Sequence, residues 1–253
     1  MLPFSKGGRP FSASPLFSFI KPGYNRRMAH ARNTKKLTEV YDLLYAHYGP
    51  QHWWPGDTDV EIITGAILTQ NTSWGNVARA IVNLKVETAL EVAPLLAIPE
   101  ERLAELIRPS GYFRQKASRL RGFFHWLGSL NGGDWRAWLK KTPLNETRDA
   151  LLAVHGIGPE TADSILLYGA ARKTFVIDKY TLRFGARYGL YGEKTKYEEA
   201  RAYFMDHLPH SAKIYNEYHA LIVRLGATCC KSKPLCLHCP LNQSCRSGMK
   251  LRE

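Results

Sequence analysis

Leu151-Leu152-Ala153-Val154-His155-Gly156-Ile157-Gly158-Pro159-Glu160-Thr161-Ala162-Asp163 is the stretch on which the reading of the chain turns. Apolar residues at helical spacing run up to Val154 and resume beyond Pro159, and two glycines one residue apart stand between them. Glycine accepts the backbone angles of a sharp turn, and proline is at home as the first residue of a helix. The stretch predicts two helices joined by a hairpin at about residues 147–171, with amides left bare at the start of the second helix, where they suit a phosphate. A glycine pair alone makes an ordinary helix–helix turn just as well. About twenty residues further on, Val176-Ile177-Asp178-Lys179-Tyr180 sets an acid at the end of an apolar run and the start of another helix. Seen alone, such an aspartate is a helix cap.

Working outward, the rest of the chain also reads as helices with clear stops. Leu37, Val40, Tyr41, Leu44 and Tyr48 share one helical face, opened by Asn33 or Thr34 and closed by Gly49-Pro50. Val60, Ile63 and Ile67 form a second face and Val77, Ile81 and Leu84 a third. Pro99 opens a helix with Leu103, Leu106 and Ile107, and Ala117, Leu120, Phe124 and Leu127 mark another that stops at Asn131-Gly132-Gly133. Only Thr174-Phe175-Val176-Ile177 resembles a strand. With no strand-plus-helix repeat, the expected class is all-α.

Composition bounds the function. The 253 residues are 45% hydrophobic and 23% charged, which fits a globular chain and excludes collagen-like, disordered and coiled-coil classes. No stretch approaches the roughly 20 apolar residues of a membrane span. Lys and Arg number 35 against 22 acids, a formal charge of +13 that points to a polyanion, nucleic acid before a membrane surface. The first acidic residue is Glu39. The basic, Pro-, Gly- and Ser-containing leader is expected to be disordered over residues 1–32, and its apolar patch, Pro15 to Ile20, is too short for a secretion signal. Cytoplasmic residence is the expectation, with an organellar address, a DNA-touching arm or a later start at Met28 as alternatives.

Near the end stand Cys229, Cys236, Cys239 and Cys245, spaced x6-x2-x5. Four thiols crowded into a loop-like stretch hold a soft metal centre more readily than they join a core. A tetrahedral zinc site satisfies the same residue set. Liganded thiolates imply a reducing compartment, and Cys230 is left over as a free thiol.

Hairpin, downstream acid and cysteine array together resemble the helix-hairpin-helix–Gly/Pro–Asp superfamily of DNA glycosylases, the endonuclease III-like group, from about Asn33 to the last cysteine. The resemblance implies a two-domain, all-α helix-hairpin-helix glycosylase fold with a C-terminal 4Fe-4S cluster loop. It places a six-helix barrel at 57–172 and a terminal domain built from 33–56 and 173–253. It implies Asp178 as the catalytic aspartate and the amides of Gly156, Ile157 and Gly158 as a phosphate grip. Cys229, Cys236, Cys239 and Cys245 become cluster ligands that order a basic loop with Lys231, Lys233 and Arg246, without a part in bond cleavage. Gln70 matches the glutamine such enzymes push into the emptied base stack, and Lys179 sits beside the acid on the DNA side. The implied partner is double-stranded DNA containing a damaged base, met by a monomer.

Within that superfamily, bifunctional members carry a lysine two residues after the hairpin's second glycine, where this chain has Glu160. A carboxylate forms no imine, so the expected chemistry is monofunctional hydrolysis, with Lys179 as the amine that could retain some lyase activity. Trp53-Trp54-Pro55, Trp74, Thr69-Gln70-Asn71-Thr72 and Gly111-Tyr112-Phe113-Arg114-Gln115-Lys116-Ala117 resemble the 3-methyladenine DNA glycosylase branch. There aromatic faces sandwich the flipped base, and a cationic alkylated purine is attracted to them. At least one of the three tryptophans is expected to be core only. His155 departs from the proline usual before the hairpin's first glycine, and the intact cysteine array departs from branch members that lack it. Three other readings remain open: a glycosylase for oxidised pyrimidines or mismatches, a non-catalytic lesion binder, and a zinc-stapled transcription factor.

Overall fold

The computed structural model describes residues 22–249, and among them every regular element is helical. The α-helices are α1 (Pro22–Tyr48), α2 (Asp59–Leu68), α3 (Trp74–Thr88), α4 (Val92–Ala97), α5 (Glu100–Leu106), α6 (Phe113–Ser129), α7 (Trp135–Lys141), α8 (Leu144–Ala153), α9 (Pro159–Ser164), α10 (Lys179–Tyr188), α11 (Tyr197–His207), α12 (Ala212–Thr228) and α13 (Arg246–Met249). The apolar faces read from the sequence are the buried ones: Leu37, Val40 and Leu44 are fully buried in α1, as are Leu120, Phe124 and Leu127 in α6. No helix among the described residues is long and apolar enough to cross a membrane.

Two expectations fail. The leader was expected to be disordered through residue 32, whereas α1 already begins at Pro22; residues 1–21 lie outside the described residues. Polar and ring contacts support those early turns. The His30 and His207 rings lie 4.7 Å apart, and Asn33 Nδ2 stands 3.5 Å from His207 Nε2. Apolar periodicity cannot register docking of that kind. Thr174–Ile177 is extended but pairs with no strand. All four residues are buried, so β-branched and aromatic side chains serve here to fill space between helices.

The buried residues form two hydrophobic clusters. One gathers α2 to α8 with the start of α9, from Val60 to Ala170. The other combines α1 with residues from Leu167 to Leu241. Between them runs α9 and the π-helical turn that continues it, Ile165–Gly169. Ala162, Ile165 and Leu166 face the first cluster, and Leu167 and Tyr168 face the second. This one rod is thus a wall common to both cores.

Candidate active site

The hairpin closes through the Ile157 amide, which donates to Val154 O at 3.1 Å, while the Ile157 side chain is buried in the first cluster. Gly156 has φ +85°, and a Cβ there would meet Arg119 Cδ at 2.7 Å, so both angle and space call for glycine. Gly158 caps α9 and its carbonyl accepts from the Ala162 amide. Among the described residues the Gly156 and Gly158 amides make no hydrogen bond, whereas that of Ile157 is spent inside the turn.

Asp178 caps α10, with Oδ1 accepting from the Thr181 amide at 2.7 Å and the Thr181 hydroxyl at 2.9 Å. No described hydrogen bond involves Oδ2. Its side chain is 12% exposed, so the carboxylate lies recessed yet reachable. Glu160 lies in the first turn of α9 and is exposed as a residue, while its carboxyl group is crowded by protein on the side of Asp178. Burial of the carboxyl, helped by the facing Asp178 and opposed by Lys179, lifts its pKa to about 7. Lys179 is exposed and lies over the Tyr180 ring.

An aromatic group closes this side of the site. Trp53 and Trp54 meet edge to face at 5.3 Å, Trp54 meets Trp74 edge to face at 5.1 Å, and Tyr168 lies 5.1 Å from Trp54. Trp54 is enclosed on most sides, with its indole against Gly65 of α2. Trp53 and Trp74 stand 6.4 Å apart at 51°, so a base sandwiched between them requires the rings to turn toward parallel. Pro55 is exposed beside them. Gln70 does not project outward. Its Nε2 donates to Gly156 O at 3.1 Å and reaches Thr161 Oγ1 at 3.3 Å, while Oε1 accepts from Arg119 at 3.2 Å.

All five cysteines line one small cavity, together with Arg187, Pro234 and Asn242. Among the described residues no three candidate ligands gather closely enough to hold a single metal ion. Lys231, Lys233 and Arg246 are exposed around the cavity. Arg183 donates to Cys230 O at 2.7 Å and Arg187 to Ser232 O at 2.9 Å, so α10 carries Asp178 at one end and holds the cysteine loop at the other. A separate cavity of about 490 Å³, lined by residues of α6, α8 and the hairpin, involves neither carboxylate.

Several neighbours of the site escaped the sequence reading. Tyr168 and His219 are buried next to Asp178. Arg119 backs the hairpin, and Lys116 is buried with its ammonium on Leu68 O at 2.9 Å and Ser110 O at 2.7 Å. That lysine ties the end of α2, just before Gln70, to the turn that presents the exposed Tyr112. Tyr168, His219 and Arg119 sit in runs that read as ordinary helix with no local signal to set them apart, while Lys116 belongs to the Gly111–Ala117 motif, which gave no sign of its burial.

Residues 64–210 match the HhH-GPD superfamily of base excision DNA repair proteins. The chain belongs to this family. A candidate DNA repair glycosylase of Methanocaldococcus jannaschii is 44% identical over 211 residues, covering 83% of this chain and 96% of its own length. Among solved structures, the 3-methyladenine DNA glycosylase of H. pylori bound to 1,N6-ethenoadenine is 30% identical, with a TM-score of 0.63, over 78% of this chain and 96% of that one. A trapped endonuclease III–DNA covalent intermediate shares the fold with a TM-score of 0.74 at 21% identity, over 87% of this chain and 99% of that one. The chain is accordingly a member of a DNA glycosylase family, an enzyme that acts on DNA in base excision repair.

Proposed function

We propose that this glycosylase is monofunctional and removes an alkylated purine, such as 3-methyladenine, from double-stranded DNA. The observation that carries the reading is the pair of carboxylates at the mouth of an aromatic group, with Glu160 where a Schiff-base enzyme needs an amine. The likeness to the H. pylori 3-methyladenine enzyme supports the same substrate class.

In this reading the two hydrophobic clusters are two domains with the DNA groove between them. The free amides of Gly156 and Gly158 take a backbone phosphate, and Lys179, Lys231 and Lys233 add positive charge to the same face. Extrusion of the base costs a few kcal/mol, and stacking on Trp53 and Trp74 offsets it by about 1–3 kcal/mol. Pro55 borders that slot, Trp54 supports it from behind, and Gln70 swings off the hairpin to fill the emptied stack. Asp178 then stabilises positive charge on the sugar through Oδ2 and orients a water. The water oxygen bonds to C1′ as the glycosidic electron pair leaves with the base, and the water's proton passes to the Asp178 carboxylate. Below about pH 7 Glu160 is neutral and sets no second negative charge beside Asp178.

The donor set of Cys229, Cys236, Cys239 and Cys245 fits a 4Fe-4S cluster. Their sulfurs line one cavity, and cysteine thiolates are the ligands such a cluster takes. Bound there, the cluster orders the basic loop, which α10 already grips through Arg183 and Arg187.

The test is base release from methylated duplex DNA, followed by mass spectrometry, with Asp178→Asn alongside. Free 3-methyladenine or 7-methylguanine, with strand cuts only after alkali, is expected from the wild type and not from the variant. Silence on methylated DNA with release of an oxidised or mismatched base would overturn the substrate class. Strand cutting without alkali would overturn hydrolysis.

A further inference from the structure

His219 is a buried titratable group that the mechanism above does not use. It lies on α12, 4% exposed, with two distinct ring nitrogens. Nδ1 is 2.6 Å from the Tyr168 hydroxyl, while Nε2 is buried, has no hydrogen-bond partner, and lies 3.9 Å from Asp178 Oδ1. A buried ring nitrogen left unpaired is costly, and its orientation toward an anion requires a reason.

The Tyr168 hydroxyl supplies one. Tyr168 is itself buried, on the π-helical turn, and the pull of burial and of Asp178 holds its phenol protonated. A protonated hydroxyl has a hydrogen to give Nδ1, and a neutral imidazole that accepts there carries its proton on Nε2, the tautomer that aims a hydrogen at Asp178. Burial lowers the His219 pKa against the opposing attraction of Asp178, which keeps the ring neutral. The Phe175 ring packs against it edge to face, and among the described residues the polar groups it meets are Tyr168 and Asp178. Oδ1 of Asp178 accepts from the Thr181 amide and the Thr181 hydroxyl, and the Nε2 hydrogen of His219 faces it at 3.9 Å, an electrostatic contact longer than a hydrogen bond. Oδ2 meets no donor among the described residues.

We propose that His219, with its tautomer set by Tyr168, is a positioning residue whose Nε2 dipole attracts Oδ1 of Asp178 across 3.9 Å and so favours the rotamer that leaves Oδ2 toward the sugar. The proposal deepens the glycosylase reading and rests on it for the role of Asp178. It adds a third layer behind the carboxylate, made from α12 and the turn after α9. Loss of the Nε2 donor frees Asp178 to rotate about its own cap, which slows bond cleavage and leaves DNA binding alone.

Two measurements on the full-length chain separate this from its parent reading. The first needs no activity: nitrogen–proton correlation spectra of histidine-labelled wild type, with the His219 signals assigned from His219→Gln. The expected pattern is protonated Nε2 and unprotonated Nδ1, disturbed by Tyr168→Phe. A proton on Nδ1 overturns the proposal whatever the enzyme's substrate. The second compares single-turnover base release with binding to a duplex carrying one N3-alkylated adenine. His219→Leu should slow release by at least about tenfold with binding unchanged, and His219→Gln, whose amide can donate to Asp178, should recover part of it. Tyr168→Phe should lie between. Release unchanged in His219→Leu, or an equal loss in His219→Gln and His219→Leu, overturns the positioning role. If wild type releases nothing from this duplex, the substrate reading fails while the tautomer result still stands or falls by itself.

Discussion

At the residue scale the site is a pair of carboxylates with unequal neighbours. The Glu160 carboxyl titrates at 4.5 when free and at about 7 in the folded protein, so between these limits the folded protein holds a proton that the unfolded chain has released. Its contribution to stability is therefore lost as pH rises through that window, and the penalty is full above about 7. Glu160→Gln should raise the melting temperature at pH 8 and change it little at pH 4.5, which thermal unfolding at the two values will show. Activity should fall above about pH 7 in the wild type and flatten in the same variant, read from a pH–rate profile of base release. At Gly156, alanine must adopt a left-handed φ at about 1–2 kcal/mol and also displace Arg119. Gly156→Ala is expected to weaken binding to undamaged duplex, measured by anisotropy, more than it slows cleavage of bound DNA. The place of Asp178 at the head of α10 was legible in the sequence because an acid between an apolar run and a helix start is a local pattern. His219 was not, since Tyr218-His219-Ala220-Leu221-Ile222 reads as ordinary core and its chemistry arises only when α12 meets Tyr168.

At the scale of elements, the buried Asp163 joins three of them. Its carboxylate receives both nitrogens of Arg148 at 3.0 Å, the Thr174 hydroxyl at 2.7 Å and the Tyr197 hydroxyl at 2.8 Å, with Arg201 at 3.3 Å. Helices α8, α9 and α11 and the extended run leading to Asp178 thus share one anchor. Removing a single partner of a buried ion pair costs about 3–5 kcal/mol because the others are left uncompensated. Asp163→Ala should lose that much in urea unfolding and should move Asp178 as well, so base release should fall with it. Helices with apolar stripes, such as α1 beyond Leu37 and α6, were legible because their burial follows a period of 3.6. The turns of α1 before Asn33 and the folded-back Gln70 were not, because what holds them is polar and distant in sequence, Asn33 to His207 and Gln70 to Gly156.

At the scale of the whole molecule, the +13 charge and the exposed Lys231, Lys233 and Arg246 predict binding dominated by phosphate contacts. The logarithm of affinity for undamaged duplex should fall linearly with the logarithm of salt, and Lys231→Ala with Lys233→Ala should make that slope shallower by about 2. Protein purified without oxygen should carry iron and acid-labile sulfide in equal amounts, and Cys239→Ser should lose both and loosen the end of α10. The cysteine spacing set Cys229, Cys236, Cys239 and Cys245 apart as a group, and these line one cavity with Cys230, but nothing in it showed that α10 links their loop to Asp178.

The π-helical turn at Ile165–Gly169 has a consequence for inheritance. Such a turn holds one residue more than an α-helical turn, and one residue in an α-helix is a rotation of about 100°. A genetic deletion of a single codon there would leave a perfectly regular helix. It would also swing everything on the Glu160 side by about that angle against everything on the Tyr168 side. Each core could then be packed only at the expense of the other, so this one wall tolerates substitution far better than it tolerates a change in length.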